Sequence, residues 1–231
     1  MQAEDRPIHL ATELIHAPRQ HTRPALQKLY YKLSQTRAAY ENTDFSRAPG
    51  PRFHSQRGKA QSLALFLPDR LMLIEEWTDL AVDGFLLKVA EVGLRVLTDL
   101  GAGQFLAQTV TMRTTFSLSH YDDAKAFMLD RVCGQEGHID PHFRRPIATG
   151  GLRLVFPETS EHPYALQVLI ESFRQSPREV YAEVKGLFNN AGIDIATLDN
   201  AAENVRRCRR VIEESVHPFL DQYDTPQQHP V

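Results

Sequence analysis

Apolar residues recur along the chain with two periods, and the points where the period changes divide it into elements. Between residues 8 and 16, Ile8, Leu10 and Leu14 alternate with His9 and Glu13, the spacing of a half-buried strand. Beyond Pro18 the period lengthens. Leu26, Leu29, Tyr30, Leu33 and Arg37 keep helical spacing to Tyr40, with Pro24 as the first helical residue. Residues 43–50 read as a polar loop closed by Pro49-Gly50-Pro51. Three short strands follow at 52–56, 61–67 and 70–77, the last two joined as a hairpin through Pro68-Asp69. Asp79 is placed to cap a helix with the apolar stripe Val82, Phe85, Leu86, Val89, Val92, Val96 and Leu100, and Gly101 and Gly103 stop it.

The pattern then restarts. Leu106, Val110, Met112, Phe116 and Leu118 interleave with Gln108, Arg113 and Ser117 in one long strand, and Asp122 is placed to cap a short helix through Ala124, Phe127, Met128 and Val132. A loop rich in Gly, His and Pro spans 134–151. Strands are predicted at 152–156, 164–173 and 178–188, and residues 189–192 break the chain before a last helix over 197–223. Val205, Cys208, Ile212, Val216 and Phe219 form the apolar face of that helix.

Each half therefore reads strand, helix, three strands, helix. This predicts an α+β fold of two pseudo-repeated β-α-β-β-β-α units, 1–102 and 103–224, with a flexible tail at 225–231. The units pair side by side as one compact domain, a mainly antiparallel sheet of about eight strands with helices on one face.

Composition narrows the function classes. Among 231 residues, 42% are hydrophobic and 24% charged, the balance of an ordinary globular protein, and a net charge of -3 argues against a general polyanion binder. Cys133 and Cys208 form no CxxC pair, which fits reduced thiols in a cytoplasmic setting. No apolar run approaches the ~20 residues of a membrane helix, and the polar residues 1–7 do not read as a secretory signal.

The loop at 134–151 holds the most conspicuous chemistry. His138, Asp140 and His142 alternate, so in an extended loop they project to one side, and imidazole and carboxylate are ligands for zinc or iron. Arg144 and Arg145 follow and are suited to clamping an anion. No second ligand cluster accompanies them, so no metal or other cofactor is assigned. A basic stretch, Arg47, Arg52, His54, Arg57 and Lys59, is suited to phosphate contacts, but few aromatics interleave it and acidic residues prevail overall. Glu203 with Arg207, Arg209 with Glu213, and Arg210 with Glu214 have the four-residue spacing of helical ion pairs. Glu75 and Glu76, adjacent on a strand, face opposite sides and cannot serve as an acid–base pair. The sequence has no GxSxG, no HExxH and no phosphate-binding loop.

The strand at residues 8–15, Arg113 within the strand at 110–116, and His217-Pro218-Phe219-Leu220 near the close of the last helix resemble a sporadically distributed family of uncharacterised bacterial proteins. That resemblance implies no activity. The proposed half-unit also looks like helix-grip and saddle-type folds of the TATA-binding protein kind, with one strand fewer per half. The leading expectation is a non-enzymatic protein that binds a small ligand or a protein partner through the sheet face or the cleft between the halves. Arg113, Gln167 and Glu183 would line that surface, and long edge strands favour a homodimer. The alternatives are a metal-dependent enzyme using His138, Asp140 and His142, and a nucleic-acid binder using the 47–59 stretch.

Overall fold

A computed structural model describes residues 1–3, 7–135, 137–189 and 192–226. Among them, ten strands make one sheet, with every pairing antiparallel. In chain order they are β1 (Gln2–Ala3), β2 (His9–His16), β3 (Asn42–Asp44), β4 (Arg52–Arg57), β5 (Ala60–Phe66), β6 (Arg70–Glu76), β7 (Phe105–Ser117), β8 (Gly151–Phe156), β9 (Ala165–Ser172) and β10 (Glu179–Phe188). The spatial order is β3-β4-β5-β6-β2-β7-β10-β9-β8, and β1 pairs with the end of β7. The helices are α1 (Arg23–Leu33), α2 (Val82–Thr98), α3 (Ala124–Ala126), α4 (Asp140–Phe143), α5 (Asp199–Val211) and α6 (His217–Asp221). A π-type turn at Phe127–Val132 extends α3, and another at Ile212–Val216 joins α5 to α6.

Strict alternation along β2 and β10 gives the sheet a buried and an open face. Leu10, Leu14, Leu71, Leu73, Val110, Met112, Val180 and Val184 belong to the buried face and, with the apolar stripes of the helices, to a single core cluster. The helices reach this face from one side. Tyr30 of α1 meets Phe53 of β4 with ring centroids 5.3 Å apart. Lys88 of α2 reaches Ser62 and Glu75, and α5 lies against β7 and β10. The α5–β10 approach is so close that a Cβ on Gly186 would sit 2.7 Å from Cys208 Sγ, which is why the strand carries glycine there.

A buried amide network pins α5 to the middle of the sheet. Asn204 Nδ2 donates to Gln108 Oε1 at 2.9 Å, and Gln108 Nε2 donates to Thr12 Oγ1 at 2.9 Å and to the Ala201 carbonyl at 3.0 Å. Its polarity predicts an outward position for Gln108. It lies on the buried face and is 1% exposed, because the network satisfies its amide.

Several boundaries differ from the sequence reading. Helix α1 starts at Arg23, with Thr22 accepting from the Ala25 N–H, and ends at Leu33, so Tyr40 lies beyond it, buried in the core. Asn42–Asp44, which runs into the predicted loop at 43–50, pairs with β4 as an edge strand. The residue ahead of α2 is Ala81, without a side-chain cap, so Asp79 is not its cap. Asp123 rather than Asp122 caps α3, accepting from the N–H groups of Lys125 and Ala126. Gly101, with φ of +66°, ends the turn after α2 in the left-handed region that glycine favours. Within the breaker at 189–192, residues 190 and 191 lie outside the described residues, as do 227–231 of the tail.

Candidate functional site

The face of β8 and β9 that points toward the helices is only partly covered. Helix α5 and the turn at Ile212–Val216 stand beside it, leaving a groove of about 840 Å³. Leu154, Phe156, Leu166, Val168 and Ile170 make its floor, and Val211, Val216 and Phe219 its helical wall. Loop residues Pro157 to Tyr164 close one end. Backbone bonds hold that loop: Thr159 N–H and Tyr164 N–H both donate to the His162 carbonyl, at 2.9 and 2.8 Å. Tyr164 stacks on Phe188 with centroids 4.9 Å apart, and the Arg207 guanidinium lies 5.9 Å from the Tyr164 ring centroid. Strand β8 at the mouth leaves Leu154 41% and Phe156 47% exposed. Apolar volume of this size with a few fixed polar groups at the rim is the usual form of a ligand site.

Of the three helical ion pairs that the spacing suggested, Arg209 with Glu213 is made and the other two are replaced. Glu203 takes Arg210 at 2.7 Å and Arg206 at 3.5 Å, and Arg209 takes Glu213 at 2.6 Å. Because Arg210 reaches back two turns to Glu203, neither the Glu203–Arg207 nor the Arg210–Glu214 pair is the one made. Among the described residues no carboxylate lies within ion-pair range of Arg207. On the same helix Cys208 is buried, and burial pushes its thiol up to about 12, so it is a packing residue and not a nucleophile.

The loop at 134–151 is not extended as the alternation argument required. Asp140–Phe143 is a helical turn. His138 and His142 are exposed, and their backbone N–H groups bond to Gln135 and Ile139 carbonyls. Arg144 follows in the left-handed region with φ of 50°, and both Arg144 and Arg145 are exposed. Among the described residues no group of three or more His, Cys, Asp or Glu side chains is arranged to hold a metal ion. The basic stretch is also partly committed: Arg57 Nη2 lies 2.6 Å from Glu41 Oε1, and Arg52 donates to the Arg47 carbonyl.

Arg113 stands on the open sheet face, in a cross-strand row that runs Gln61, Glu76, His9, Arg113, Glu183, Leu169, Arg153. Its Nε donates to Glu183 Oε2 at 2.7 Å, and Tyr181 OH donates to the same oxygen at 3.2 Å. The guanidinium is therefore already neutralised by an internal partner. Gln167, also on this face, accepts from Arg153 at 3.1 Å.

Burial, and then the Arg113 guanidinium, hold the His9 imidazole below its ordinary value, with Glu76 and Glu183 opposing. In the unfolded chain His9 titrates near pH 6.5, so at lower pH the unfolded state binds the extra proton first. Stability is therefore full above about pH 6.5 and falls as the pH drops through the lower folded value. Urea unfolding at a series of pH values should show this decline, and His9→Gln should flatten it; an unchanged slope in the variant would remove His9 from the account.

Both halves contribute to the sheet, but they meet as paired strands. β2 and β7 run in continuous register from His9↔Arg113 to Ile15↔Ala107, and α2 packs on α5 above them. The groove is built wholly from residues 154–219 and is not a cleft between the halves. No helix among the described residues is long and apolar enough to cross a membrane. The chain matches no protein-family model, and a search of curated proteins finds no significantly similar sequence.

Sequence reasoning missed the groove. Its floor was legible as three strands and its wall as an amphipathic helix, but nothing in the periodicity says that strand β8 extends past the cover of that helix. The one available signal was Leu152, Leu154 and Phe156 alternating on a strand with no following helix to cover them.

Proposed function

We propose that the chain is a ligand-binding protein whose site is the groove between α5 and strands β8 and β9. Its ligand class is an elongated apolar molecule with an acidic head, the apolar body on the floor around Val168 and the acid at Arg207. The observation that carries this reading is the incomplete cover of β8 and β9, set against the cover of Phe53 in β4 and of Ala64 and Phe66 in β5. There Phe53 is 0% exposed beneath Tyr30 of α1, whereas Leu154 is 41% exposed.

The contrast has meaning because we read the chain as two β-α-β-β-β-α units of helix-grip or saddle-like type. Strand order supports the reading: β4-β5-β6-β2 on one side of the centre corresponds to β8-β9-β10-β7 on the other. In the first unit the helix after the opening strand, α1, lies over the outer strands. In the second, the corresponding α3 is short, and its π-type extension packs beside Gly150 at the start of β8, where a Cβ would meet Leu129. The outer strands are left with an apolar face and an arginine at its rim.

Calorimetric titration with dodecanoate and with dodecanol, both below their aggregation limits, tests the reading. Dodecanoate should bind saturably at one site per chain. Arg207→Gln should weaken it about tenfold, the loss of one charge-assisted hydrogen bond, while leaving dodecanol unchanged. Absence of saturable dodecanoate binding, or an equal loss for both probes, would contradict it.

A further inference from the structure

The two edges of the sheet are built differently. One edge is β3, three residues long and polar, followed by a turn in which Asp44 accepts from the Ser46 and Arg47 N–H groups. Such an edge is short and discourages pairing. The other edge is β8, six residues reading Gly-Leu-Arg-Leu-Val-Phe, with no proline and a single charge. Leu154, Val155 and Phe156 are all exposed there, Val155 to 59%. An apolar edge of this kind is a template for another strand.

The direction of its free backbone groups follows from one bond. Ser172 N–H donates to the Gly150 carbonyl at 2.9 Å, so Gly150 turns its peptide groups toward β9. Alternation then turns those of Leu152, Leu154 and Phe156 toward β9 as well, and those of Gly151, Arg153 and Val155 outward. Arg153 is also drawn back from the edge, since its Nη2 donates to Gln167 Oε1 on β9 at 3.1 Å.

The geometry points to the β8 edge as the contact between two copies of this chain, paired antiparallel about a two-fold axis through Leu154. Self-pairing keeps the buried and open faces of both sheets in line only when residues of like parity lie opposite one another. With Leu154 on the axis, the outward groups of Arg153 and Val155 exchange backbone hydrogen bonds with Val155 and Arg153 of the second copy. Leu152 then faces Phe156 across the seam. Centring the pair on Val155 instead would put Pro157, which has no N–H, opposite Arg153 in the pairs that flank the axis, whereas the register through Leu154 confines it to the end of the seam, opposite Gly151. The pairing continues one sheet through both copies and covers the exposed ends of Leu154 and Phe156. Because Leu154 and Phe156 also line the groove, the seam borders its mouth.

The test is the mass of the full-length chain by light scattering and sedimentation over roughly 1–100 µM, with three variants. Wild type should run at twice the chain mass in the upper part of that range. Val155→Pro removes an outward N–H that bonds to nothing within the sheet, and proline suits an edge strand, so the variant should fold and be monomeric. Val155→Lys places a like charge opposite Arg153 of the second copy and should also be monomeric, whereas Val155→Glu should stay dimeric. Circular dichroism of each variant checks that the fold is retained. A wild-type chain that remains monomeric overturns the proposal and leaves the edge to a different strand. Dimers that survive Val155→Pro and Val155→Lys also overturn it. Dissociation of Val155→Glu excludes the register through Leu154 and overturns it as stated.

Discussion

Glu75→Ala should lower the unfolding free energy by about 3–5 kcal/mol, the cost of leaving a buried cation without its partner. Lys88 Nζ lies 2.7 Å from Glu75 Oε1 and 2.8 Å from Ser62 Oγ, and Ser62 Oγ donates to the same carboxylate oxygen at 2.6 Å. The side chains of Lys88 and Glu75 are 11% and 4% exposed, and the ammonium also sits 4.9 Å from the centre of the Tyr40 ring. Burial, and then the Glu75 carboxylate, raise the Tyr40 phenol above its ordinary range, so the ring stays neutral over the cation. Ser62 cannot compensate for a lost carboxylate, because a hydroxyl supplies no charge. Glu75→Leu combined with Lys88→Met removes both charges and should recover most of the loss, since apolar replacements of a buried pair are often neutral. Urea midpoints for the single and double variants measure this. A double variant as unstable as the single one would mean that the pair itself, and not the orphaned charge, supplies the stability.

Phe53→Ala should also cost about 3–5 kcal/mol, while Leu154→Ala in dilute, monomeric protein should change stability by no more than about 0.5 kcal/mol. Phe53 lies in β4 beneath α1, and Leu154 lies in the edge strand β8 with its side chain part-exposed at the groove. Phe53 is fully buried, with Phe66 at 4.7 Å, Tyr30 at 5.3 Å and Tyr40 at 6.2 Å between ring centroids. Truncating it opens a cavity that three neighbouring rings cannot collapse to fill. Leu154 faces the groove, so removing its side chain leaves no enclosed void. Comparable costs at both positions would show that the β8 face is covered and that the groove is not a site. This pair of measurements tests the groove through stability, without any ligand.

The buried ion pair was within reach of the sequence. Lys88 falls inside the apolar stripe of α2, between Phe85 and Val92, and Glu75 falls on the apolar side of its strand, in phase with Leu71 and Leu73. A charge at such a position in two neighbouring elements signals a pair. Gln108 gave a weaker signal, since an amide in a strand reads as solvent-facing until its partners, Thr12 and Asn204, are known to converge on it. The long strands and both long helices were legible because apolar periodicity sets them directly. Edge strands β1 and β3 were not, because so few residues, polar in β3, carry no period. The alternation of His138, Asp140 and His142 reads as extended chain, whereas the local turn from Ile139 to Phe143 is helical, a short-range choice that polar residues with no apolar period do not reveal. The groove depends on how far a helix reaches across a sheet, which is a tertiary fact that no single segment encodes.

The measurement that tests the central claim most directly is a ¹⁵N-resolved amide spectrum of the chain titrated with dodecanoate. The account predicts shifts confined to residues of β8 and β9, the 157–164 loop and the helical wall from Arg207 to Phe219. Shifts centred instead on the open face around His9, Arg113 and Glu183, or none at saturating probe, would contradict it.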